Sequence, residues 1–193
     1  MPTSTREAIE RAIHWIGISI EERDVDRRLV WVCAALEALL SLKSDRRKGE
    51  TIARRLALLY ARRGRPMVHP SAQLLRYEGR SALVHGSRVR VATEEDYHAL
   101  RVAATEGVEM FIEYALEARL KRHAGLLADL DRREDLLMLA DWLERGAAKK
   151  SPSGRIARDA RLHASRVGHI LLAIENLWSE VVAEVRRHMP ARE

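Results

Sequence analysis

The chain has 193 residues, 47% of them apolar and 32% charged, with a formal net charge of +6. That apolar share suffices for a packed core and excludes disorder as the default, and the length fits one domain or one domain with an appendage. The single cysteine excludes an intramolecular disulfide, and the N-terminus MPTSTREAIERAIHW has no apolar signal core.

Every long segment reads as helix, and no run alternates apolar and polar residues long enough for a sheet, so the expected fold is all-α. Helix one is expected over about 5–20, with Ile9, Ile13 and Ile16 on one face. Helix two covers about 24–43, with Leu29, Val32, Leu36, Leu39 and Leu40 inward and Asp24 and Asp26 near its positive end. Its apolar run LVWVCAALEALL holds Cys33, read as a small buried hydrophobe. The run is broken by Glu37 and falls short of the roughly 20 residues a membrane span needs. A soluble cytoplasmic chain with no membrane partner is therefore expected.

Helix three is expected over about 50–63 through Ile52, Leu56 and Leu59, before GRPMVHP breaks the chain with two prolines. Ser71 is a natural N-cap for a fourth helix ending near His85, with Gly86 as its stop. Thr93 and Asp96 form a capping box that opens a fifth helix reaching about 122. Two more helices follow near 126–145 and 154–188, separated by the breaker-rich loop GAAKKSPSG. The last is long, and packs either on the bundle or on a second subunit. This divides the chain into a helical bundle at 1–122 and a helical extension at 123–193.

Charge is distributed unevenly. Positions 46–92 hold twelve Lys or Arg against two acids, leaving the rest of the chain at net −4. Such asymmetry points to a polyanion partner, a nucleic acid, with Arg54, Arg55, Arg76, Arg88 and Arg90 as the expected contacts. Within this window RSALVHG places Arg80 five residues before His85. The spacing alone is weak: with 29 arginines and 8 histidines about one such pair arises by chance, and a second, Arg158…His163, occurs in the last helix. Context separates them. Arg80 follows Gly79, His85 precedes Gly86, and the pair lies beyond a proline break, whereas Arg158 and His163 fall in an amphipathic helix whose polar residues need no special role.

On a helix, five residues turn the chain by about 140°, so Arg80 and His85 are splayed rather than on one face. A cationic arginine and a histidine that exchanges protons near neutral pH suit phosphodiester chemistry without a metal or other cofactor.

Residues 8–116 resemble the HEPN superfamily in its Apea-like branch. The resemblance is carried by AIHWIGIS, CAALEALLSL, TIARRLALLYARRG, LLRYEGRSALVHG and ALRVAATEGVEMFIEYA, in that order. It implies a helical bundle that dimerises so that two Arg…His motifs meet, and a metal-independent endoribonuclease. Arg80 would then neutralise the scissile phosphate, and His85 would exchange a proton with the 2′-hydroxyl or the leaving 5′-oxygen. The resemblance also implies a toxin or defence effector, held in check by an antitoxin or regulatory protein. The residue after the arginine is Ser81, where many active relatives carry Asn, Asp or His; serine keeps a hydrogen bond but no charge.

Glu37 stands in an apolar helical run, where it either reaches solvent at an edge or pairs with an arginine near the active centre. The alternative function is a non-catalytic RNA- or protein-binding module. His163 and His169 are six apart, about 240° around a helix, which is poor geometry for a metal. Trp15, Trp31, Trp142 and Trp178 lie in helical patterns and read as core or interface rather than base-stacking platforms.

Overall fold

A computed structural model describes residues 4–63, 92–119, 122–144 and 155–165. These residues form seven helical segments and contain no named strand. Helix α1 spans Thr5–Glu21 and α2 Val25–Leu40, joined by three residues into an αα-hairpin. Helix α3 spans Lys48–Arg62, α4 Glu94–Ala118, α5 His123–Leu130 and α6 Arg133–Glu144. Residues 155–165 form α7.

Local signals set these boundaries. Ser4 caps α1, accepting from the Glu7 amide while the Glu7 carboxylate accepts from the Ser4 amide. Asp24 caps α2 through the Arg27 amide at 2.9 Å, and Thr93 with Asp96 forms the expected capping box of α4. Each cap satisfies amides that a helix start leaves without partners.

Helix α2 is the centre of the packing. Leu29, Val32, Cys33, Leu36, Leu39 and Leu40 are all buried and join one core with Leu56 and Leu59 of α3 and Leu100 and Phe111 of α4. Gly107 allows α4 to approach: a Cβ there would lie 3.1 Å from Leu56 Cδ1. On α1 the contact stripe is made by Ala8, Ala12 and Ser19, small residues that bring the helix close to its neighbours. Ile13 therefore turns outward with half its surface exposed, contrary to the expected inward face, while Ile9 and Ile16 pack only partly. Trp15 stacks on Trp31 with ring centres 5.0 Å apart, as an inter-helix contact rather than an open platform. Arg28 ties three helices together. Its guanidinium grips Glu94 at 2.8 and 2.9 Å, lies over the Tyr97 ring and donates to the Ser19 carbonyl.

The region expected as one helix over 126–145 is two. Helix α5 starts at His123 and stops at Leu130, and α6 restarts at Arg133. The break sits at Asp131, whose buried carboxylate turns inward to two guanidinium groups. Leu126, Leu127, Leu130, Leu136, Ile156 and Ala160 belong to the same core as α1–α4. The described part of the 123–193 extension thus packs on the bundle. Among the described residues no helix is long and apolar enough to cross a membrane.

Candidate functional site

Arg80, Ser81 and His85, together with Arg76, Arg88 and Arg90 and the helix expected over 71–85, lie outside the described residues. Trp178 and His169 lie outside them too. Of the residues expected to support the motif or bind RNA, the structure describes Glu37, Arg54 and Arg55.

Arg54 and Arg55 were expected to face RNA. They are instead 2% and 3% exposed, in a stretch of α3 where every residue from Thr51 to Tyr60 is buried. Arg54 bonds Asp131 at 3.1–3.3 Å and also pairs with Asp159 of α7. Arg55 bonds Asp131 at 2.9 Å and Asp45 at 2.6 Å, and donates to the Leu40 carbonyl at 2.8 Å. The reason for the correction is physical. A desolvated guanidinium needs carboxylates around it, and once three surround the pair its donors are spent on protein rather than phosphate.

Burial by itself would raise the Asp131 carboxyl, but the facing charges of Arg54 and Arg55 overcome this and hold it below the ordinary carboxylate range. His163 approaches the same carboxylate at 3.5 Å, with its own pKa lowered by burial and by Arg54. Arg158 is exposed, so the second Arg…His pair is divided between solvent and this network, as the 140° spacing requires. A polar recess of about 340 Å³ beside the network is lined by residues including Arg46, Arg47, Asp159 and His163.

The same pairing revises the meaning of the charge window. Seven of its bases, from Arg46 to Arg63, are described, and five of these pair with carboxylates outside the window. Lys48 pairs with Glu37, Arg54 with Asp131 and Asp159, and Arg55 with Asp131 and Asp45; Arg62 pairs with Asp135 and Arg63 with Glu113. Charge separated along the sequence is largely recombined in space.

Glu37 is one-fifth exposed and holds Lys48 Nζ at 3.3 Å across the α2–α3 boundary. It lines a cavity of about 750 Å³ together with Arg11, Lys43, Lys48, Arg122 and His123. His123 escaped the sequence reading. It is buried at the first position of α5, donates from Nε2 to the Leu39 carbonyl at 2.7 Å, and meets Phe111 edge-on. With Arg55 on Leu40 and His123 on Leu39, two of the carbonyls that α2 leaves open at its C-terminus are satisfied by side chains.

Burial lowers the His123 pKa, and nearby Arg55 and Arg11 add to the effect. Because the folded-state pKa lies below the unfolded value near 6.5, the unfolded chain takes up the proton first. The contribution is full above pH 6.5 and is lost as pH falls from there toward the folded value. Urea titrations between pH 7.5 and 5.5 should show stability falling by up to about 1.4 kcal/mol per pH unit per histidine. His123→Gln should flatten that slope, leaving a smaller part from the more exposed His163. An unchanged slope would assign the titration to other groups.

Comparison with protein-family models, with curated proteins and with solved structures finds no match to this chain.

Proposed function

We propose that the chain is a metal-independent endoribonuclease in which Arg80 and His85 act at a homodimer interface, with a biological role as a toxin or defence effector. Arg80 would hold and neutralise the scissile phosphate while His85 moves the proton, and the second copy would complete a site that one splayed pair leaves open.

The observation that carries this reading is the grouping of the flanking stretches. Positions 12–19, 33–42, 51–63 and 99–115, singled out by their resemblance to the HEPN superfamily, lie on α1 to α4, whose buried side chains share one core. In the sequence the motif falls between the residues of α3 and those of α4. On α1, Ile13 and Ile20 stand seven residues apart with more than half their surface exposed, giving an apolar stripe of the kind a second copy covers.

The test is cleavage of total cellular RNA in excess EDTA by wild type, Arg80→Ala and His85→Ala, each checked for fold by circular dichroism. Wild type should cut RNA but not DNA, leaving 2′,3′-cyclic phosphate ends, and each variant should fall by at least about a hundredfold.

A second reading, a non-catalytic RNA- or protein-binding module, is favoured by Ser81, which carries no charge beside Arg80. A folded wild-type dimer that leaves RNA intact would select it.

A further inference from the structure

We propose that the cleft between α1, the α2–α3 turn and the start of α5 is a binding site for a phosphomonoester. Its volume of about 750 Å³ falls in the range of small-molecule sites. Among the described residues Arg11, Lys43, Lys48 and Arg122 line it against the one carboxylate of Glu37, a net +3. Gathering like charges around one hollow is unfavourable unless an anion offsets them.

The fold makes this assembly. A backbone bridge between Ser4 and Arg122 holds the start of α5 beside the start of α1, which brings Arg122 toward Arg11. Glu37 fixes Lys48 from the opposite side.

The cleft floor adds directional groups. His123 gives its Nε2–H to Leu39, so in the neutral ring Nδ1 is the acceptor, suited to a hydroxyl on the esterified alcohol. Helix α5 begins without a side-chain cap, and Ala124 and Gly125 of its first turn line the cavity. Nothing lies within 4 Å of the place a Gly125 Cβ would occupy, so that wall stands open. A phosphomonoester carries about −1.5 to −2 charge at neutral pH, against −1 for a diester, and a cationic cleft favours the former. That chemistry is shared by a free nucleotide or sugar phosphate and by the 5′ end of an RNA strand.

The experiment is calorimetric titration of the full chain with AMP, with adenosine, and with a short RNA carrying either a 5′-phosphate or a 5′-hydroxyl. AMP should bind at least about tenfold more tightly than adenosine, since the difference is one set of charge-assisted hydrogen bonds. Lys43→Glu and Arg122→Glu, both at exposed positions, should each weaken AMP at least about tenfold. A preference of the RNA for its 5′-phosphorylated form would make the strand end the ligand. AMP binding without that preference would make it a free phosphate ester. Equal binding of AMP and adenosine, no saturation by either phosphorylated probe, or indifference to both charge reversals would overturn the proposal. With 2′-O-methyl strands, which lack the hydroxyl that cleavage needs, none of these outcomes depends on whether the protein cuts RNA.

Discussion

Asp131→Ala is expected to lower unfolding stability by about 3–5 kcal/mol, because it removes the carboxylate shared by two buried guanidinium groups. Arg54 would keep Asp159 and Arg55 would keep Asp45, but the carboxylate between them would be gone and two cations would face each other without water. Asp131→Asn keeps the shape and loses the charge. It should recover only a small part of the loss, which separates electrostatics from packing. Since the network is buried, the effect should persist in high salt, unlike that of the exposed Arg6–Glu10 pair. Urea unfolding of both variants at low and high salt makes the check. A loss below about 1 kcal/mol for Asp131→Ala would mean the guanidinium groups find water or other partners, and the network would not be the clamp described here.

That clamp also explains what could and could not be read from the sequence. Helices α1, α2 and α4 were legible because their start signals are local: Ser4 and Glu7, Asp24, and Thr93 with Asp96 act within one turn. The inward faces of α2 and α3 followed from helical spacing for the same reason. What sequence reading missed depends on residues far apart in the chain. Arg54 and Arg55 looked like surface charge because the carboxylates that neutralise them stand about 76 and 105 positions away, at Asp131 and Asp159.

One local signal was available. The arginine pair sits between Ile52, Ala53 and Leu56, Ala57, Leu58, Leu59, all buried, so the helix carries it inward whichever face turns to the core. The break at Asp131 was invisible for the complementary reason: the leucine pattern runs through it, and only the two guanidinium groups stop the helix there. The cleft was equally hidden, since its cations come from α1, the α2–α3 turn and the residue before α5, and no sequence window contains more than part of it. The motif residues Arg80 and His85 rest on sequence alone.

Phe111→Ala is the core substitution expected to matter most for both stability and the cleft. Phe111 is fully buried on α4, and removing its ring leaves a large cavity, at a cost of about 3–5 kcal/mol. For a chain of this length that corresponds to a fall in Tm of roughly 6–20 °C. The ring also meets His123 edge-on at 5.9 Å, forming part of the apolar surroundings that keep the imidazole neutral. Water entering the cavity would ease that desolvation, so the His123 pKa should move up toward 6.5 and the acid-dependent loss of stability should shrink. Phe111→Leu fills most of the space and should show a smaller version of both effects. Urea unfolding combined with NMR titration of the His123 ring checks the two together. A stability loss with an unmoved His123 titration would show that the imidazole is kept neutral by Arg55 and Arg11 rather than by burial. A loss of less than about 1 kcal/mol would show that the core around α4 closes over the space left by the ring.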